Sequence, residues 1–248
     1  MTLQSQIKAV LALIWFDGIL PIRRSPFNVV NFVVSPLTIL FFIYLFAGPD
    51  KARFAISGGL TAVIVGSCII LETEAAFIRL VVRLQDMFVS SPLSPISYVL
   101  GLSIALLLNG LAGIVLFSIL LAVSGGVSAI GALDIALACI MTWASVSSLG
   151  FVLSSFARDM RDLWVYAPLF TVLLSFLPPI FYPITLIPEQ FRFVAYLAPT
   201  TYPAQIIQMA AKLIPFSASS FLFDFAGGTI YVLILVLFAA KQARWRQR

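Results

Sequence analysis

The segment ETEAAFIRLVVRLQDMFVSSPLSP, residues 72–95, is a charged amphipathic stretch between two long apolar runs. Arranged as a helix, it places Arg79, Arg83 and Asp86 on one face. The opposite face has the three-to-four spacing of a half-buried helix and holds Phe77, Leu80, Val81, Leu84, Met87 and Phe88. Because helix–helix connections usually take about 2–8 residues, this longer segment predicts a helix on the membrane surface that offers its charged face to something in water.

The composition on either side of this segment indicates an integral membrane protein. Hydrophobic residues make up 61% of the 248 residues and charged residues 10%, whereas a soluble domain carries about 25% charged residues. Six apolar runs, each close to the ~20 residues that cross ~30 Å of hydrocarbon as a helix, lie at 27–47, 55–73, 98–122, 132–156, 163–183 and 219–240. We therefore predict an all-α integral membrane protein in which residues 1–248 form a single transmembrane domain of six helices.

The N-terminus and the basic residues predict how this domain is oriented. Residues 3–20 form an amphipathic pattern that ends at Pro21, so we expect an interfacial helix along the inner leaflet. With both termini in the cytoplasm, 11 of the 15 Lys and Arg residues lie on the inner side, as the positive-inside rule predicts. The net charge of +5 is thus a topology signal, and nucleic-acid binding is not expected.

Several kinds of active site are excluded by missing residue types. The chain has no histidine and no GxxxxGK[ST] motif, which removes the usual general base, most zinc sites and the common ATP-binding loop. We expect no catalytic residue, no metal site and no cofactor in this chain. Any uphill transport would therefore draw its energy from a partner or from an ion gradient.

An ion-gradient carrier is the first alternative, and it usually shows ionisable residues deep in its spans. Here the acidic candidates are expected as interfacial carboxylates at helix ends: Glu72 and Glu74 at the inner end of the second span, and Asp134 and Asp224 near outer ends, where water reaches them. A membrane scaffold that transports nothing is the second alternative.

A proline-rich segment follows the fifth span. The run FLPPIFYP, residues 176–183, interrupts the helix, because proline cannot continue the hydrogen-bond ladder. The following residues are too apolar for an exposed loop, and Pro188 and Pro203 each predict the start of a short helix, through Leu197 and Leu213. We expect two short re-entrant helices in the outer leaflet. Three tyrosines would lie at headgroup depth, as an aromatic belt or as the lining of an exit: Tyr182, Tyr196 and Tyr202.

A route for a solute is less well marked. Aromatic side chains such as Tyr44, Trp143 and Tyr166 line such a route or face lipid, and the pattern leaves both interpretations open. Small residues in the third and fourth runs predict close helix packing. Few charges lie in the spans, so a hydrophobic or amphipathic solute fits better than a strongly ionic one.

In order and spacing, these residues resemble the membrane subunits of type-2 ABC exporters, a group that includes drug-resistance permeases and permeases for O-antigen and teichoic-acid glycans. The resemblance rests on the amphipathic start, on a cytoplasmic helix ending SSPLSPISYVLG (90–101), and on FLPPIFYPITLIPEQFRFVAYLAPTTYPAQIIQ (176–208). Two departures are visible. Ala198 stands where many members have Asn, and RLQDMFVSS (83–91) replaces a Glu/Arg-Gly-Thr-rich run.

The resemblance implies a half-transporter in the plasma (inner) membrane of a prokaryote. Two copies of the chain would pair with two copies of a separate ATPase subunit that binds ATP and Mg²⁺, and the complex would export a drug-like compound, a lipid or a lipid-linked glycan. The helix around Arg79–Phe88 would act as a coupling helix seated in a cleft of the ATPase, and the loop ARDMRDLW (157–164) would be the second contact. The alternative for this loop is a solvated turn whose charges complement a helix dipole. The implied coupling residues are Arg79, Arg83, Asp86, Met87, Phe88, Arg158, Asp159, Arg161 and Asp162.

Overall fold

The computed structural model describes residues 3–83, 94–125 and 127–242, and within these ranges it contains helices and no strand. The first helix, α1, runs over Leu3–Arg24 with a π-helical turn at Ile14–Ile19. The others are α2 (Phe27–Ala47), α3 (Pro49–Ile69), α4 (Leu71–Phe77, continued by a π-helical turn at Ile78–Val82), α5 (Pro95–Val123), α6 (Ala129–Phe156), α7 (Met160–Phe176), α8 (Arg192–Tyr196), α9 (Thr201–Ala210) and α10 (Ala218–Gln242).

Six helices in the described ranges are long and apolar enough to cross a membrane, which confirms the predicted class and count. The membership of this group differs from the prediction. Helix α1 qualifies by length and composition, whereas the predicted fifth span, 163–183, is the 17-residue helix α7. Helix α7 ends at Phe176 because Pro178 and Pro179 cannot continue it. At 1.5 Å per residue it is about 25 Å long, at the lower limit for a spanning helix.

Helix α1 runs beside the first half of α5. The Gln6 side chain accepts a hydrogen bond from the backbone N–H of Ser94, and Leu13 packs on Gly101. A Cβ atom added at Gly18 would lie 3.1 Å from the Cα and O atoms of Ala105. The contacts advance in the same direction along both helices over about three turns. That α1 lies in the plane of the inner leaflet remains a prediction.

The centre of the bundle is α3, whose side chains Leu60, Ile64 and Ile69 are fully buried. It packs closely on α5. A Cβ atom at Gly59 would lie 2.2 Å from Cε1 of Phe117. Apolar burial alone does not drive helices together in lipid, so close van der Waals contact is needed. Small residues at the contact allow the two helix backbones to approach closely. In the third run, a Cβ atom would lie 2.7 Å from Oγ of Ser67 at Gly110 and 2.9 Å from Cγ1 of Val63 at Gly113, so the close packing predicted for the small residues of that run is confirmed.

The segment after α7 contains two short helices, as the prolines predict. A 3₁₀ turn at Glu189–Phe191 leads into α8, and α9 follows at Thr201. Helix α9 stops at Ala210, before the predicted Leu213. There the N–H groups of Lys212 and Leu213 donate to the carbonyls of Met209 and Gln208, and Lys212 has φ of 55°. This is a Schellman motif, which ends a helix with a left-handed residue. That these helices re-enter the membrane remains a prediction.

Candidate functional site: a membrane cleft and a charged surface

A cleft of about 570 Å³ lies between α2, α3, α5 and α7, and the last turns of α1 close one end. Its walls combine apolar side chains, including Ile39, Leu106 and Phe176, with neutral polar groups. The polar groups come from three of the helices, α2, α5 and α7: Asn31, Ser35, Asn109, Thr171 and Ser175. Such a mixed lining suits a molecule that is apolar over most of its surface and polar at a few points.

Two carboxylates, Asp17 and Glu74, stand at the end of the cleft nearest α4, which is the predicted cytoplasmic end. No Lys or Arg occurs among the described residues that line the cleft. Asp17 lies in the π-helical turn of α1, and the close contact of Gly18 with α5 fixes that turn. π-Helical turns are frequent at functional sites. The cleft therefore presents negative or neutral groups to a solute.

Two prolines interrupt the helices that form the walls. Pro36 lies inside α2 and Pro168 inside α7, and both line the cleft. Each removes the backbone hydrogen bond to the carbonyl four residues earlier, at Phe32 and Trp164. Of these two residues, Phe32 lines the cleft.

The predicted path residues do not meet in this cleft: within the described chain, none of the six lines it. Tyr44 on α2 is 58% exposed, and Tyr166 on α7 is half-buried. Trp143 borders a separate apolar groove of about 380 Å³ between α5, α6 and α10, where its Nε1 donates to the carbonyl of Ser103 at 3.4 Å.

The three remaining tyrosines lie between the end of α7 and the first turn of α9, and two of them, Tyr196 and Tyr202, belong to an aromatic cluster. The rings of Tyr196 and Tyr202 are 5.6 Å apart. Tyr202 and Tyr231 both donate from their hydroxyls to the carbonyl of Tyr196, at 3.1 and 3.3 Å. Burial raises the pKa of Tyr202, so its hydroxyl stays a protonated donor. Tyr182 lies apart from this cluster and is half-buried.

Sequence patterns did not single out the polar side chains that fasten α9. Gln208, fully buried, donates from Nε2 to the carbonyls of Pro179 at 2.7 Å and Tyr182 at 3.2 Å. Gln205 donates to Oδ1 of Asp224 at 3.1 Å. The available signal was two glutamines three residues apart in an apolar segment, which places both on one helical face.

Two expectations about acidic residues were wrong. Asp224, expected at a water-accessible helix end, is 2% exposed, because α9 packs over it and supplies Gln205. Glu72, expected at the membrane interface, is fully buried. Its burial follows from the close approach of α4 to α6, since a Cβ atom at Gly150 would lie 3.4 Å from the backbone nitrogen of Glu72.

The predicted coupling residues divide into three groups. Asp86, Met87 and Phe88 lie outside the described residues. Arg83 ends the turn that follows α4 and is exposed, with φ of 57°. Arg79 is directed towards the end of α6: its Nη2 donates to the carbonyls of Ser154 and Ala157 at 2.7 and 2.8 Å.

The loop between α6 and α7 forms the third group. Asp162 Oδ2 accepts from the backbone N–H groups of Arg158 and Asp159, at 3.2 and 3.4 Å, which is one half of a capping box at the start of α7. The alternative of charges that complement a helix terminus thus describes Asp162. Arg158 and Arg161 are exposed and available to a soluble partner.

The family model described as ABC-2 type transporter matches residues 8–211, which include α1 to α9 almost completely. No curated protein matches the chain.

Proposed function

Because the chain belongs to the ABC-2 type transporter family, we propose that it is the permease subunit of an ATP-driven exporter of a hydrophobic or amphipathic solute. It is a multi-pass membrane permease, a component of transport that is normally not catalytic itself. The proposal adds the direction of transport and the location: efflux across the plasma (inner) membrane of a prokaryote, with both termini in the cytoplasm. A drug-like compound, a lipid and a lipid-linked glycan are the candidate solutes.

The cleft is the observation that carries the proposal about the solute. Its apolar walls would hold the hydrophobic part of the molecule, while Asn31, Asn109 and Thr171 supply a few polar contacts. Asp17 and Glu74 at one end favour a neutral or cationic head group over an anionic one.

The energy source in this proposal is a separate ATPase subunit. The chain has no GxxxxGK[ST] motif, and three exposed arginines, Arg83, Arg158 and Arg161, supply charge for a contact with a soluble subunit. A second copy of the chain completes the proposed complex. The exposed apolar face of α2, with Phe41 and Phe46 among its residues, suits contact with lipid or with this second copy.

The first test is purification of the tagged chain from its native membrane in a mild detergent, with identification of every protein that co-purifies. We expect a soluble subunit with ATP-binding motifs in stoichiometric amount, and ATP hydrolysis that candidate solutes stimulate. Solute flux that is abolished by an ionophore and does not require such a subunit would instead support an ion-gradient carrier.

The second test fills the cleft. Thr171 lines it, whereas its neighbour Val172 is 52% exposed on the outside of α7. We expect Thr171→Trp to lower solute-stimulated ATP hydrolysis at least tenfold, and Val172→Trp to stay within twofold of the parent protein. Equal activities of the two variants would remove the cleft from the transport pathway.

A further inference from the structure

We propose that Arg79 is a positioning residue that joins the two cytoplasmic segments of the permease, the turn at Ile78–Arg83 and the loop at 157–162, into one mechanical unit. This inference rests on the proposed function, because it concerns how ATP hydrolysis in a partner reaches the membrane helices. Arg79 is 75 residues from Ser154 and 78 from Ala157 in sequence, and it donates to both carbonyls.

The two hydrogen bonds occupy a position that the backbone leaves open. In a continued helix, the carbonyl of Ser154 would accept from the N–H of Arg158, four residues later. That N–H donates instead to the Asp162 side chain, and the Arg79 guanidinium takes its place at Ser154. A cation also complements the negative end of the α6 dipole. Arg79 therefore completes the terminus of a helix to which it does not belong.

Apolar packing surrounds the same contact. Ala76 and Ala157 are buried against each other, with Leu80 alongside. Slightly deeper, α6 packs so closely on the junction of α3 and α4 that a Cβ atom at Gly150 would lie 3.2 Å from the carbonyl oxygen of Ile69 and 3.4 Å from the backbone nitrogen of Glu72. The polar contact and the apolar contacts together restrict relative movement of the two chain segments.

The exposed arginines lie immediately beyond this contact. Arg83 follows Arg79 by four residues, about one helical turn, and Arg158 follows Ala157 directly. A push on either segment therefore displaces the ends of α4 and α6 together. Coupling between distant sites requires rigid elements of this kind. Arg79 holds the two segments in their relative position, while Arg83, Arg158 and Arg161 remain available for contact with the ATPase.

The first experiment measures, in the permease without a partner, how rigidly the turn after α4 and the end of α6 are joined. Spin labels are attached to Val82→Cys and Phe156→Cys, whose parent side chains are exposed, in the full chain carrying Cys139→Ala; Cys68 is fully buried. We expect the width of the label–label distance distribution to at least double in Arg79→Ala, to increase less in Arg79→Lys, and to stay at the parent value in Arg83→Ala. An unchanged width in Arg79→Ala overturns the proposal. If Arg79→Ala does not fold, Arg79→Lys carries the same comparison.

The second experiment uses the complex with the ATPase subunit that co-purifies. We expect Arg79→Ala to assemble stoichiometrically and to keep the KM for solute within twofold, while the solute-stimulated kcat falls at least fivefold. Arg83→Ala should instead weaken assembly at least fivefold. Weakened assembly in Arg79→Ala with an unchanged label distribution would make Arg79 a direct contact and overturn the proposal. If no ATPase co-purifies, the exporter proposal fails, and the spin-label width still decides the role of Arg79.

Discussion

The hydrogen bonds of Gln208 provide the sharpest test of how α9 is held. We consider Gln208→Met, which keeps a similar length and removes both polar atoms. The variant leaves the buried carbonyl of Pro179 and the partly buried carbonyl of Tyr182 without the donor that lies 2.7 and 3.2 Å from them. An unsatisfied buried polar group costs roughly 1–3 kcal/mol.

The net cost is smaller than the sum of these two losses. The Gln208 Oε1 atom is itself buried without a hydrogen-bond partner in the described chain, and the substitution removes that cost. Two carbonyls lose their donor and one unsatisfied oxygen is removed, each worth a similar free energy. The docked state of α9 is therefore destabilised by about 2 kcal/mol relative to the undocked state. At 1.4 kcal/mol per factor of ten, this raises the undocked population about 30-fold.

The assay is the rate at which a membrane-impermeant thiol reagent labels Ala204→Cys in the Cys139→Ala protein. Ala204 lies on the inner face of α9, is 2% exposed and packs against Ile180 and Phe181, so labelling requires undocking. We expect labelling about 30-fold faster in Gln208→Met and unchanged in Gln190→Met, which replaces an exposed glutamine of the same outer segment. A rate within twofold of the parent in folded Gln208→Met would show that these hydrogen bonds do not fasten α9.

Three further changes test other features. Gly59→Val places a side chain where Phe117 Cε1 lies 2.2 Å from the added Cβ. We expect the stability of the fold to fall by about 1–3 kcal/mol, seen as a lower apparent melting temperature, and to be partly restored by Phe117→Leu. If Phe117→Leu restores nothing, the lost stability does not come from this contact. Asp17→Asn with Glu74→Gln should raise the KM for a cationic amphiphile at least fivefold in solute-stimulated ATP hydrolysis and leave a neutral analogue unaffected; equal shifts for both would contradict a charge effect. Lys212 has a left-handed backbone conformation (φ of 55°), which costs a non-glycine residue about 1–2 kcal/mol. Lys212→Gly removes this cost, so the apparent melting temperature should rise. A fall would contradict the strain argument.

Local features of the sequence predicted local structure well. The apolar runs overlap most of α2, α3, α5, α6 and α10, because crossing hydrocarbon requires a helix. The prolines at 178, 179 and 188 marked where helices end and begin. The end of α9 was missed because a lysine, and not the usual glycine, adopts the left-handed conformation at its terminus.

Features that depend on tertiary contacts were not predictable in the same way. The cleft brings together Asp17, Asn31 and Asn109 from three helices, and no periodicity within one helix relates them. For Arg79, the helical pattern gave a charged face but not its partner. A soluble subunit and the carbonyls at the end of α6 are equally compatible with that face, and only the three-dimensional arrangement distinguishes them.

The prolines within α2 and α7 have a consequence for the range of molecules that the cleft accepts. A helix that has already lost one backbone hydrogen bond bends at that point without breaking another. The segments beyond Pro36 and Pro168 therefore act as compliant walls, whereas the α3 wall opposite them is stiff because it is packed on all sides. Bulky solutes are accommodated by bending two walls through a few degrees, while charge is not accommodated by any such movement. The expected selectivity is broad in size and narrow in charge.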